Sequence, residues 1–222
     1  MSHYKKQSVL EVKLFEFSLF GVNTYFVWDT LSKEAAVIDP AMSDPRECEV
    51  FSSFVTEHGL ILKYLLCTHL HIDHTFGIEY IEANYKIGLH ASEADDFFGK
   101  QRAAQARMFR LRMAEPAPIH IDSAITEGEK FYLGKEYLEA IVTPGHSPGG
   151  VSFYCPDSSI VFTGDSLFKG SIGRTDLAGG NHSQLIRSVT SKLLNLPPQT
   201  IVYPGHGPKT TIAYEKDYNP YL

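Results

Sequence analysis

"LKYLLCTHLHIDHTFGIEYI", residues 62–81, decides how this chain is read. An apolar run of strand length, 62–67, leads into His69, His71, Asp73 and His74. Phe76, Ile78 and Ile81 then recur at helical spacing. Three imidazoles and a carboxylate within six residues have little structural use. They are donors that zinc, iron and manganese accept, whereas thiolate-rich sets favour structural zinc or clusters. On the turn leaving a buried strand, such side chains can converge on one pocket.

Three further ligand types are placed alike downstream. "IVTPGHSPGG" sets His146 after Ile141–Val142, and "TIVYPGHGP" sets His206 after Ile201–Val202. In both, Pro ends the strand and Gly permits unusual backbone angles, so the imidazole can be aimed. Between them "IVFTGDSLF" puts Asp165 at another strand end beside Gly164. A carboxylate has two oxygens and can bridge two cations, which an imidazole cannot. Seven ligand types are thus enough for two adjacent metal ions.

H-x-H-x-D-H followed by Gly-His, Gly-Asp and Gly-His corners resembles the metallo-β-lactamase superfamily. "GDSLFKGSIGRTDLAGG" and "VYPGHGP" bring it close to the branch of glyoxalase II-like thioesterases and persulfide dioxygenases. The similarity runs from "NTYFVWD" at Asn23 to "PGHGPKTTI". It implies His69, His71 and His146 at a first metal, Asp73, His74 and His206 at a second, and Asp165 as the bridge. Asp39, in "AAVIDPA", matches a family position near the site and is expected either to orient a ligand or simply to end its strand. Long glyoxalase II enzymes carry a C-terminal helical domain with glutathione contacts. Only "GPKTTIAYEKDYNPYL" follows His206, so the likeness is to short, single-domain members.

The chain has 222 residues, 43% of them hydrophobic, with no linker or charge block, which fits one domain over 1–222. A net charge of −6 argues against a nucleic-acid partner. No stretch reaches membrane-spanning length, and Lys5 and Lys6 precede alternation rather than a signal-peptide core. Three cysteines (Cys48, Cys67, Cys155) without paired spacing fit a reduced, cytoplasmic protein, with Cys67 packed in its strand.

Strands are expected at 11–17, 24–28, 35–38, 62–67, 87–90, 137–142, 151–154, 160–163 and 200–202. Helices are expected at 45–58, 75–83, 92–113 and 183–194. Many strands in each half, with ligand types on their ends, suit an αββα sandwich of two mixed sheets flanked by helices. The segment 92–118 reads as a helical insertion. Phe97, Ala104, Met108 and Leu111 form its apolar stripe, with Arg102, Arg107, Arg110 and Arg112 on the remainder. It reads as a surface helix, or as a lid or dimer contact whose arginines attract an anion.

The expected cofactors are two divalent ions, zinc foremost, with iron or manganese admitted by the same donors. The nucleophile is then a metal-bound water, with Asp73 as a candidate proton acceptor. No separate general acid stands out. A thiol leaving group, with a pKa near 8.5, needs none. The resemblance points the same way, to hydrolysis of S-lactoylglutathione or a related acylthiol. Lys169 and Arg174, in "FKGSIGRTD", are candidates for binding a substrate carboxylate, Arg174 having an alternative pairing with Asp176. The main rival is a mononuclear-iron persulfide dioxygenase. A lactonase or other metallo-hydrolase is a lesser one, and a non-catalytic metal-binding module a third.

Overall fold

The computed structural model describes residues 10–17 and 20–222. His3, Lys5 and Lys6 lie outside them. β1 (Leu10–Phe17), β2 (Val22–Asp29) and β3 (Glu34–Ile38) form an antiparallel meander. α1 (Pro45–His58) then crosses over to β4 (Ile61–Leu66), parallel to β3. α1 has clear stops: Asp44 accepts from the N–H groups of Arg46 and Glu47, Pro45 fills the first turn, and Gly59 ends it at φ 61°. α2 (Ile78–Tyr85) leads to β5 (Leu89–Ala91), α3 (Asp96–Lys100) and α4 (Arg102–Met108) follow, and β6 (Ser123–Ala124) completes a six-stranded mixed sheet.

The second sheet begins with β7 (Lys130–Leu133), β8 (Glu136–Val142), β9 (Val151–Cys155) and β10 (Ile160–Gly164), all antiparallel. A small hairpin, β11 (Leu167–Phe168) and β12 (Ser171–Ile172), and α5 (His182–Ser191) follow. β13 (Ile201–Pro204) pairs parallel to β10, β14 (Thr210–Thr211) flanks it, and α6 (Ile212–Tyr218) closes the chain. The order is β14-β13-β10-β9-β8-β7.

Tyr25, Val27, Ile38 and Leu66 of the first sheet pack face to face with Phe131, Leu138, Phe153 and Phe162 of the second. On the first sheet's other face, Phe26, Trp28 and Leu65 meet Phe51, Val55, Ile78 and Ile81 of α1 and α2. On the second's, Val161 and Val202 meet Leu185 and Val189 of α5. The result is the expected αββα sandwich. β2 is buried along its whole length because both its faces are covered, so its sequence does not alternate. Cys67 is buried, and no helix among the described residues is long and apolar enough to cross a membrane.

The expected strands appear with shifted ends, most of all 87–90, which forms as Leu89–Ala91. The short strands β6, β7, β11, β12 and β14, and α6, were outside that expectation. The larger correction is at 92–113, where one helix was expected and two short ones form. The Gly99 carbonyl accepts from the Ile119 N–H at 3.1 Å and the Phe98 carbonyl from Gln105 Nε2 at 2.8 Å, so the helical ladder is interrupted. α4 stops before Arg110, which sits at φ 54° while the Leu111 N–H reaches back to the Ala106 carbonyl.

The buried face also differs. Phe98, Arg102, Gln105 and Ala106 point inward, while Phe97 and Met108 of the expected stripe are 62% and 64% exposed. Arg102, expected outside, is buried. Its guanidinium binds Glu79 at 2.8 Å and donates to the carbonyls of Ala117 (2.8 Å) and Thr75 (3.1 Å). Arg107 pairs with Glu115 instead of facing a substrate. Arg102→Ala should destabilise the protein by roughly 2–4 kcal/mol, since it empties the space of a fully buried side chain and removes its bonds to Glu79, Ala117 and Thr75. Urea unfolding checks this; a loss under about 0.5 kcal/mol, as for an ordinary surface change, would contradict it.

Candidate metal centre

The C-terminal ends of β3, β4, β8, β10 and β13 lie along one edge of the sandwich, and each delivers a polar side chain there. Cross-sheet bonds close that edge: the Asn23 N–H donates to the Gly205 carbonyl at 2.8 Å, and the Tyr25 hydroxyl to the Pro204 carbonyl at 2.7 Å. After β4 the chain makes one 3-10 turn, Ile72–His74, pinned by the Thr75 hydroxyl on the Ile72 carbonyl. That turn presents Asp73 and His74 beside His69 and His71.

All seven sequence-derived ligand types come together. His69, His71 and His146 offer nitrogens within 4.8 Å of one another, and so do the ligand atoms of Asp73, His74 and His206. Asp165 faces both groups. Its Oδ1 lies 3.5 Å from His74 Nε2, and its Oδ2 lies 3.5 Å from His146 Nε2 and 3.6 Å from His206 Nε2. Asp73 Oδ2 is 3.5 Å from His206 Nε2.

Four of the five imidazoles have a contact at the far nitrogen, whereas His71 Nδ1 lies 2.9 Å from His146 Nε2 within the cluster. His146 Nδ1 donates to the Arg174 carbonyl at 2.7 Å and His206 Nδ1 to the Gly21 carbonyl at 3.2 Å, since a carbonyl only accepts. His69 Nδ1 lies 3.1 Å from the Thr68 hydroxyl. His74 Nδ1 lies 3.0 Å from Asp39 Oδ2. Asp39 is itself buried and accepts from the Thr68 N–H and hydroxyl, both at 2.7 Å. Its φ of 52° is unusual for a non-glycine residue, a strain this bonding sustains. Asp39 therefore touches a ligand-type histidine, which its alternative as a plain strand end does not require.

The residues fit a divalent metal. Nε2 of His69 and of His74 and Oδ1 of Asp165 are buried without a hydrogen-bonding protein partner, and they converge with neutral imidazole and carboxylate donors. Gly145, at φ 140°, confirms the expected backbone freedom. Gly205 has a different reason: a Cβ there would stand 2.3 Å from Asp165 Oδ1.

The other candidates separate. Arg174 lines the cavity over the centre, but its guanidinium is held by Asp176 through two bonds, 2.7 and 2.8 Å. Its carbonyl, not its charge, serves His146. Lys169 is not on that wall; it is exposed, with Nζ 5.6 Å over the Tyr214 ring on α6. Asp95 was missed. Buried, it accepts from the Leu70 N–H at 3.1 Å and the Gly149 N–H at 2.6 Å, joining the loops that carry His69, His71 and His146. Nothing in "SEADDFF" distinguished it from a surface acid.

Burial keeps His69 well below the ordinary imidazole value and pushes His71 down to about 3, so both stay neutral and ready to ligate. Burial acts the same way on His74, but Asp165, Asp73 and Asp39 outweigh it and raise His74 to about 10. Asp73, although burial opposes it, is held well below the carboxylate range by His74 and His206. It is fully ionised, which suits ligation and makes it a weak proton acceptor.

The family model of the metallo-beta-lactamase superfamily matches residues 18–206, and the chain belongs to that superfamily. Among its relatives is the hydroxyacylglutathione hydrolase GloC of Haemophilus influenzae, 34% identical over 96% of this chain and 98% of that protein. The crystal structure of the BLEG-1 B3 metallo-beta-lactamase superposes with a TM-score of 0.85 at 32% identity, covering 96% of this chain and 99% of the other. That of TTHA1623 in a di-iron-bound form gives 0.82 at 33%, covering 95% and 100%.

Filling the Asp73–His74–His206 group requires His74 to lose a proton that it holds up to about pH 10. The His69–His71–His146 group requires no such loss from His69 or His71 at neutral pH. His206 is raised too, Asp73 and Asp165 outweighing its burial, so metal added to metal-free protein at pH 7.5 should release at least one proton per chain with the second ion, whose affinity rises with pH. Calorimetry in buffers of different ionisation enthalpy checks this. Equal proton release for both ions, or none, would contradict the assignment of charge to His74.

Proposed function

We propose that this chain is a binuclear metal-dependent thioesterase that hydrolyses an acylthiol, with S-lactoylglutathione-type thioesters as the reference class. The observation that carries it is the placement of Asp165 between the two ligand groups, Oδ1 beside His74 and Oδ2 beside both His146 and His206, at the base of a cavity of about 420 Å³. His69, His71 and His146 would hold one ion, Asp73, His74 and His206 the other, with Asp165 placed to serve both. Divalent metal, when bound, supplies Lewis acidity and lowers the pKa of water from 15.7 to about 7. Zinc is the first expectation. The di-iron form of TTHA1623 supports two ions and keeps iron in view.

The chain's own residues define the rest. Contacts with the Arg174 and Gly21 carbonyls, the Thr68 hydroxyl and the Asp39 carboxylate hold His146, His206, His69 and His74 in one orientation, so these four need little rearrangement. Phe20, Phe109 and Phe168 wall the cavity and exclude water from the reacting carbonyl. In the reaction a water oxygen bonds to the acyl carbon, the C–S bond breaks, and its electron pair leaves on sulfur. The products are a carboxylate and a thiol.

Leaving-group chemistry supports a thioester. Among the described residues, the cavity wall beyond the seven ligand types offers only Ser171 and the Asp176-bound Arg174 as polar side chains. Neither is a proton donor suited to an amine leaving group, whereas a thiolate needs none. The kinship to GloC, named a hydroxyacylglutathione hydrolase, agrees. The short tail after His206 forms α6, whose Tyr214 and Tyr218 are exposed, and a glutathione-linked carrier would have few contacts there.

Metal analysis of purified protein, followed by separate assays with S-lactoylglutathione and glutathione persulfide, tests the reading. Two ions per chain and thioester turnover are expected. One iron with persulfide-dependent oxygen uptake would replace it by the dioxygenase. Asp165→Ala should lose at least one ion and reduce kcat/KM by about 10²-fold or more. A variant with both ions and full rate would refute the bridging role.

A further inference from the structure

A second, smaller cavity of about 170 Å³ opens beside the first. The two share His71, Phe109 and Leu177, so the side cavity adjoins the space over the ligand cluster. The His71 ring is the partition. Phe98 packs against its far side, edge to face, with centroids 4.8 Å apart. Beyond it the wall is built by Phe97, Ala104 and Met108.

No charged side chain lines this cavity, the partition histidine being neutral. Of its two glutamines, Gln105 is spent at both ends: Nε2 donates to the Phe98 carbonyl at 2.8 Å, and Oε1 accepts the Ile72 N–H at 3.0 Å. Gln101 lies on the exposed side of the chain. Phe97 and Met108, the exposed apolar residues for which the core has no use, both flank this opening. The interrupted α3–α4 segment thus leaves an apolar recess next to the reacting centre.

We infer that this recess is the acyl pocket, taking the aliphatic part of the acyl chain while the thiol portion leaves through the larger cavity. The inference rests on the thioesterase reading above and narrows its substrate. The chemistry follows from the wall, which is aromatic and aliphatic apart from His71, Gln101 and the spent Gln105. The bulkier thiol carrier suits the 420 Å³ cavity, which has Ser171 and Arg174 on its wall.

Straight-chain carboxylates from acetate to octanoate test the pocket as product-like probes on the metal-loaded protein, with n-alkanethiols of equal length as the control series. Each added methylene should tighten carboxylate binding roughly fourfold, which is ~0.8 kcal/mol per buried methylene, and the gain should level off once the recess is filled. Ala104→Phe, which fills the recess, should flatten that series. Phe97→Gln, at an exposed position, should reduce its slope should the first variant fold poorly. In turnover, the hexanoyl-to-acetyl ratio of kcat/KM should exceed about 10² and fall toward one in Ala104→Phe.

A flat carboxylate series, or a slope that survives both substitutions, would overturn the pocket. A slope seen with thiols instead of carboxylates would overturn its assignment to the acyl side. Thioester turnover without chain-length dependence removes the pocket and leaves the thioesterase. A carboxylate slope with no thioester turnover removes the thioesterase and retains a pocket for aliphatic carboxylic chains.

Discussion

Polar groups packed as tightly as His69, His71, His74 and His146, each no more than 6% exposed, persist inside a sandwich only if something else holds them. Here each has a contact on its far side, with the Thr68 hydroxyl, the Phe98 ring, Asp39 and the Arg174 carbonyl respectively. Everything else about the site depends on these contacts. They fix the four rings and leave nitrogens of His69, His74 and His146 turned toward one another and Asp165. Because two of the contacts come through the backbone or side chains of neighbouring strands, the sandwich cannot slip without disordering the cluster.

That dependence explains why so much of the centre was legible in sequence. A histidine or aspartate beside glycine at the end of an apolar run is a local pattern, and His146, Asp165 and His206 each stand where such a run stops. The sandwich was legible for a similar reason, since strand runs and helix caps such as Asp44 and Gly59 are signals written over a few residues. Short strands such as β11 and β14 have no such signal. They are strands because a neighbour pairs with them.

Residues that act through partners far away in sequence were hidden. Asp95 looks like a surface acid until the loops holding Leu70 and Gly149 arrive on either side of it. Arg102 looks like one more arginine on a basic helix until α2 supplies Glu79. The helical stripe of Phe97, Ala104, Met108 and Leu111 had the right period and the wrong meaning. The chain around Ile119 takes the Gly99 carbonyl and breaks the helix, and Phe97 and Met108 come to border a recess instead of a core.

The sequence by itself determined the chemistry of the centre and the layered fold, because donor type, strand period and helix caps are local properties. Only the tertiary structure decided which arginine is buried, which lysine turns away, and that Arg174 contributes a carbonyl where its charge was expected. It also decided the shape of the space beside His71. Those are outcomes of packing, set by contacts between residues whose distance along the chain carries no periodic signal.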